Sequence, residues 1–414
     1  RIITNNTIHN LESDSAIVLL EAKGGENVIE SNTTYDASIT STSSQGDLIG
    51  LLFSEGGFNI TSNEIYNLSH QGSGVLAGML SLDTNDVEII ENNLIYELTS
   101  ANIATGIDLK SKGSQRHLEE NEVFAVSGTQ KAVGVNLSGA DTDFKRNKIY
   151  NIESDGNLGK SFGIMAKNMD AVHLSNNLLG SISAPSSSSL NGAVGIKLDS
   201  LENAAIYYNS VFLDGENNSP DFGSSAIYLG EENSAIDLRN NIFINTSQAN
   251  GNGYSVALRL AKDDLNQLSN ENDNNLYFID TTQNNTAFFF DGTDADFVFQ
   301  DFKDRMNFRE QNSVNENVLF ESLNGSSIDF LRPSTSVETL VESNAQEIAG
   351  IENDYHFLQV RTNYPLTGQV NGGGEHPDIG AIEGDYTPRT TSLTEQSLAS
   401  VQLLIYPNPT TEHV

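Results

Sequence analysis

The sequence predicts an all-β fold, a parallel β-helix solenoid of about ten coils with a C-terminal closing segment. Three observations carry that prediction. A phrase of the form apolar-x-x-Asn-x-apolar recurs over the first two thirds of the chain, and a second apolar phrase with period-two alternation lies in most intervals. Clusters of Gly, Ser, Asn and Asp separate the phrases, and no segment shows ten or more residues of helical periodicity.

The first phrase reads ITNNTI, IESNTT, ITSNEI, IENNLI, LEENEV, FKRNKI, LSNNLL, IYYNSV and LRNNIF. Its key residues are Asn6, Asn32, Asn63, Asn93, Asn121, Asn147, Asn177, Asn209 and Asn241, with a degenerate copy at Asn275. Successive intervals are 26, 31, 30, 28, 26, 30, 32, 32 and 34 residues, so the register survives to about residue 280. The second phrase, usually opened by a small residue, reads GIDLK, GVNLS, GIMAK, GIKLD, AIYLG and ALRLA. Alternation of this kind marks a half-buried strand, and each repeat therefore holds two or three short strands joined by turns.

Units of this kind bury their apolar faces by stacking, each strand bonded to its equivalent about 4.8 Å away, which gives a rod on the order of 50 Å long. One inward column is expected through Ile3, Ile29, Ile60, Ile90, Leu118, Phe144, Leu174, Ile206 and Leu238. A second is expected through Ile8, Ile65, Ile95, Val123, Ile149, Leu179, Val211 and Phe243. The Asn between them is expected in a tight, often left-handed turn, bonding its side-chain amide to the next coil. Leucine-rich repeats also set an Asn among apolar residues, but they are shorter and follow it with a helical or looser segment. Here the rest of each unit is another β-like phrase.

The chain has 21 Lys and Arg against 56 Asp and Glu, a formal charge of -35, which disfavours nucleic acid and anionic membranes as partners. With no cysteine, disulfides, thiolate metal sites and cysteine nucleophiles are excluded. The seven His show no zinc-binding spacing, so no metal site is expected. The acid-rich stretch at 291–301 lacks a calcium-roll or EF-hand pattern, and weak surface calcium binding stays open. No apolar run approaches membrane-spanning length. The chain opens inside a coil at Arg1 without a start Met, and reads as a piece of a longer protein.

The repeat, the Gly-Ile-x-Leu phrases and the Asn turns resemble the right-handed, single-stranded parallel β-helix proteins of the pectate-lyase-like superfamily, over roughly residues 1–290. The following stretch, from FQDFKDRMNFREQNSVNENVLF to PDIGAIE, resembles the closing segment of secreted Bacteroidetes members of that group. Residues 291–386 are accordingly expected to close the solenoid, and 387–400, rich in Thr and Ser, read as a linker. The final IYPNPTT, within 401–414, resembles the opening of the C-terminal sorting domain of type IX secretion. That resemblance implies export to the exterior or outer cell surface, with the secretion machinery as a partner of the tail. A fold resemblance carries no activity with it.

One outward residue per coil is expected between the inward residues of the second strand: Ser81, Asp108, Asn136, Met165, Lys197, Tyr228 and Arg259. Lys197, Tyr228 and Arg259 are neighbours there and form the candidate substrate-binding stripe, bordered by Lys167 and Asp199. β-Elimination of an acidic polysaccharide needs a cation for the uronate and a base for its C5 proton, and these residue types suit both. Among Asp83, Asp86, Asp108 and Asp199 no pair stands out for glycoside hydrolysis. A second outward column is aromatic, through Tyr66, Tyr96, Phe124, Tyr150 and then Phe212, and is expected either to stack on sugars or to cover strand beneath a loop. Two functions follow: a non-catalytic adhesion or glycan-binding module, which is favoured, or a polysaccharide lyase or other carbohydrate-active enzyme on acidic glycans. Loops at 155–161, 184–191 and 215–224 decide whether the stripe lies in a groove or on a flat face.

Overall fold

The computed structural model describes residues 1–82, 86–110, 115–357, 361 and 375–389. The chain adopts the predicted all-β architecture, a parallel β-solenoid of about 9 turns. Among the described residues one sheet has 11 strands, from Thr7–Ser13 to Val314–Asn315, and follows the ladder Asn of each coil. The other has 16 and carries both the strands before the ladder and the Gly-apolar strands. Long strands such as Lys160–Ser175 and Ala193–Tyr207 serve two sides of a coil, bending at Asn168 (φ 53°) and Ser200 (φ 56°).

The inward columns follow from this register. Ile3, Ile29, Ile60, Ile90, Leu118, Phe144, Leu174, Ile206 and Leu238 pair in unbroken order. The second column runs from Ile8 through Thr34 to Ile65 and on to Phe243 and Tyr277. Thr34 fills the coil the apolar pattern skips, and its buried hydroxyl has no hydrogen-bond partner. Each Val, Leu or Ile that these columns remove from water contributes about 1.5–3 kcal/mol. A buried ion pair interrupts the inward face of the coils, Arg116 Nε to Glu88 Oε2 at 2.6 Å, and another, Arg361 to Glu383 at 2.9 Å, is buried in the returning segment.

The small residue opening the second phrase is explained by what lies opposite it. A methyl on Gly106 would stand 2.3 Å from Val123 Cγ1 and 2.6 Å from the Gly134 carbonyl, and Gly50, Gly78 and Gly134 are equally confined. Later coils carry buried Ala226 and Ala257 in the same phrase.

The Asn residues form a continuous side-chain ladder. From Asn6 to Asn241, each rung's backbone N–H and Nδ2 both donate to Oδ1 of the Asn one coil on, at 2.8–3.2 Å. Nδ2 of each rung from Asn32 also donates to a carbonyl of the preceding coil, as Asn121 does to Ile90 at 2.8 Å. The expected left-handed turn is present, but one residue earlier than expected. The left-handed residues are Asn5, Ser31, Ser62, Asn92, Glu120, Arg146, Asn176, Tyr208 and Asn240, while the ladder Asn presents its amide along the rod.

At the C-terminal end the ladder stops on a carboxylate. Asn275 donates its backbone N–H to Ser313 Oγ (2.8 Å) and Nδ2 to Glu310, which also accepts from Tyr277 Oη (3.0 Å) and from Ser313. The helix Phe299–Met306, the one α-helix among the described residues, buries Phe302 and Met306 against this end of the core. Asp301 in its first turn and Lys303 and Arg305 in its last suit the helix dipole. The chain then returns along the outside of the smaller sheet. Phe320, Phe330, Val341, Ile379 and Tyr386 bury a second core there with Tyr150, Tyr208, Phe212 and Ile242.

Candidate functional site

Strand register brings the three predicted residues into one column. Lys197 pairs with Tyr228, and Tyr228 with Arg259. The column runs on through Met165, Asn136 and Asp108 in one direction and to Phe290 in the other. Its member in the coil of Met79 is Leu80, whereas Ser81 lies in register with Leu109 and is fully buried.

The three side chains are differently committed. Lys197 Nζ lies 5.5 Å from the Tyr228 ring centroid and 3.5 Å from Asp199 Oδ2, and it stays partly exposed. Arg259 is 4% exposed. Its guanidinium donates to Ser225 Oγ (2.7 Å) and the Tyr254 carbonyl (2.7 Å) and lies 4.9 Å from the Phe290 centroid. Burial lowers its pKa to about 10, so it keeps its proton at neutral pH. Burial also raises the Tyr228 hydroxyl above its ordinary value, which makes it a poor base.

Tyr228 and Arg259 floor a hollow of about 300 Å³ bounded by Leu190 and Asn191 on one side and Asn252 to Tyr254 beside them. Of the three loops named from the sequence, 184–191 alone borders this hollow beside the stripe, and Lys197 lies outside it. The loops stack like the strands, through Gly156 N–H to the Thr129 carbonyl and Ser188 N–H to the Asn157 carbonyl, and Phe222 packs with Ala184 and Ala193. Toward the other end of the same sheet the outer surface gathers several lysines beside Asp108 and Asp199. Lys131 and Lys160 pair across adjacent coils, and Lys167 pairs with Asp199. Burial first, then the charges of Lys167, Lys197 and Lys160, hold the Lys131 ammonium below its ordinary pKa, against the pull of Asp108.

Of the acids read from the sequence, Asp108 and Asp199 are engaged. Asp108 accepts from Asn136 (2.7 Å) and pairs with Lys110 (2.6 Å), and Asp83 lies outside the described residues. In the acid-rich stretch Asp291 accepts from the backbone of Thr293 and Asp294, and Asp296 binds Arg305. Among the described residues no three His, Cys, Asp or Glu side chains converge to hold a metal.

The aromatic column is longer than the sequence suggests. His9, Tyr35, Tyr66, Tyr96, Phe124 and Tyr150 stack at centroid spacings of 4.8–4.9 Å with planes within 8° of parallel. Because each ring covers its neighbour's face, solvent meets ring edges, and a sugar finds no free face to lie on except at the end of the stack. The next coil has Gly180, whose missing side chain makes room for Phe330 of the returning segment. That segment covers Tyr150 and Phe212.

A further cluster escaped the sequence reading. In the outward column preceding the ladder, His117, Asp143 and His173 pair in consecutive coils, followed by Ala205 and Asp237. His117 Nδ1 lies 3.7 Å from Asp143 Oδ2, His173 Nδ1 3.4 Å from Asp143 Oδ1, and Lys145 Nζ 3.4 Å from Asp143 Oδ2. Tyr207 Oη donates to Asp237 (2.5 Å) and accepts from Arg239 (2.8 Å); burial and Asp237 push its pKa up to about 12. His117, Asp143, His173, Tyr207 and Asp237 rim a groove of about 590 Å³. The signal was present: each sits at the fourth or second residue before a ladder Asn, as His117 and Glu119 precede Asn121. Read for short motifs, the His residues look scattered; read down the repeat, they align.

The linker beyond Arg389 and the terminal IYPNPTT lie outside the described residues. No protein-family model, curated protein or solved structure matches the chain.

Proposed function

We propose that this chain is a secreted or cell-surface solenoid that binds an acidic polysaccharide along the outer face bearing Lys131, Lys160, Lys167 and Lys197, without cleaving it. The observation that carries this reading is the gathering of these lysines on one surface of a chain with formal charge -35. Like charges brought this close repel, and a polyanion would relieve that repulsion. The state of the stripe supports binding without cleavage. Arg259 is buried and bonded to Ser225 and the Tyr254 carbonyl, Lys197 faces Asp199, and the Tyr228 hydroxyl holds its proton tightly. None of them offers a free base to a C5 proton. The extracellular placement rests on the likeness of the tail to a sorting signal, with the secretion machinery as its partner.

The test is titration of uronate oligomers from alginate and pectin into the full chain by calorimetry, with the ultraviolet absorbance of unsaturated ends followed in parallel. Binding should weaken as salt rises. Replacing Lys131, Lys167 and Lys197 together by Ala should weaken it at least about tenfold, or 1.4 kcal/mol. Unsaturated products would replace this reading with that of a lyase, and unchanged affinity in the triple variant would end the lysine-face reading.

A further inference from the structure

The groove at His117, Asp143 and His173 lies on a different side of the coil from the lysine face, because Asn168 and Ser200 bend the shared strands between them. We propose that it is a second carbohydrate site, which takes an uncharged pyranose. This goes beyond the acidic-glycan reading and stands independently of it.

Four features converge on such a ligand. The size, about 590 Å³, is that of an ordinary small-molecule site. The floor includes Ala171 and Ala205, with Ala235 at its edge, methyl groups on which the C–H face of a sugar ring can rest without desolvating a polar group. One polar atom of the lining, His173 Nε2, is buried without a hydrogen-bond partner in the protein, while Nδ1 of the same ring faces Asp143 Oδ1 at 3.4 Å. A buried polar group in this state is stabilised by a partner, and a hydroxyl serves the imidazole nitrogen as donor or acceptor.

The fourth feature is charge. Asp141, Asp143 and Asp237 line the groove, while the nearest fixed cations are already engaged: Arg239 with Asp237 and Tyr207, Lys145 with Asp143 and Glu119. Burial pushes Asp143 up, yet His173 and Lys145 outweigh it and hold the carboxyl below its ordinary value, so it is an acceptor at neutral pH. A uronate brought here would meet three carboxylates; an uncharged sugar would give them its hydroxyls.

The experiment uses the full chain with neutral oligosaccharides derived from xylan, mannan and β-glucan, and uronate oligomers as the contrast. Binding is read by calorimetry and by the imidazole NMR signals of His117 and His173. A neutral oligosaccharide should bind and shift both signals. Ala171→Tyr, which fills the floor, and Asn203→Tyr, at an exposed lining position, should each weaken it at least about tenfold. Asp143→Asn should do so as well, with far-ultraviolet circular dichroism and Tm confirming that each variant is folded. Lys197→Ala should leave neutral-sugar binding unchanged, which separates failure of this site from failure of the lysine face. Absence of binding across the neutral panel, undiminished binding to both Tyr variants, or preference of the groove for uronates would overturn the proposal.

Discussion

Asn121 shows what one residue of the ladder holds. Its Oδ1 accepts from the backbone N–H of Asn93 (3.1 Å) and from Asn93 Nδ2 (2.9 Å), and its own Nδ2 donates to the Ile90 carbonyl (2.8 Å) and to Asn147 Oδ1 (3.0 Å). All of this is buried from water. Asn121→Ala therefore strands the Asn93 backbone N–H, at about 1–3 kcal/mol, and takes a hydrogen bond of about 1 kcal/mol each from the Ile90 carbonyl and from Asn93 Nδ2, which keeps the Ile60 and Glu91 carbonyls. The expected loss is about 3 kcal/mol or more, measured as a fall in the denaturant midpoint; a loss below about 1 kcal/mol would mean the rung is dispensable. The ladder Asn is legible in the sequence because its role needs an amide and nothing else fits. The left-handed residue before it is not, because any residue that tolerates the conformation will serve, and Ser31, Glu120, Arg146 and Tyr208 all do. Thr34 is hidden for a related reason, since its shape suits the column while its hydroxyl breaks the apolar pattern.

At the scale of strands and sheets, the glycine phrase sets how closely the two sheets approach. Gly106→Ala places a methyl 2.3 Å from Val123 Cγ1, in a site closed on its other side by the Gly134 carbonyl. Overpacking of this kind costs about 1–3 kcal/mol. A Tm drop of several degrees is expected, and Gly106→Ala paired with Val123→Ala should recover part of it. If Gly106→Ala leaves Tm unchanged, the strands have more room than their spacing implies. The same register explains what could be read of the candidate site. Lys197, Tyr228 and Arg259 follow from counting along the Gly-apolar strands, and the count slips only at Met79–Leu80–Ser81. There an apolar residue faces outward, so strict alternation picks the wrong neighbour. Whether a side chain is free or engaged does not follow from register. Arg259 turns to Ser225 and Tyr254, and the aromatic rings spend their faces on one another. Side-chain direction is set largely by neighbours one coil away, as Ser225 is from Arg259, 34 residues distant in sequence.

For the molecule as a whole, the ladder is a single hydrogen-bonded line along the rod, and its C-terminal end is ionisable. Glu310 is wholly buried, and burial raises its pKa from 4.5 to about 7, with the donors Ser313, Asn275 and Tyr277 pulling it down and Asp273 pushing it up. A carboxyl whose pKa is higher folded than unfolded binds protons more tightly in the native state. Its contribution to stability is therefore complete below about pH 4.5 and is lost as pH rises through about 7, on the order of 3 kcal/mol in all. Glu342, also raised to about 7 first by burial, and Asp378, raised by burial and by Glu383, slope the same way, as does self-repulsion at a formal charge of -35. The total pH dependence thus cannot isolate the ladder's end, but a difference can. Glu310→Gln keeps an acceptor for Asn275 and removes the ionisation, so variant and parent should match near pH 5 and diverge toward pH 8, the variant becoming the more stable. Equal slopes in the two proteins, measured by chemical denaturation across that range, would show that Glu310 does not titrate as the closed end of the line.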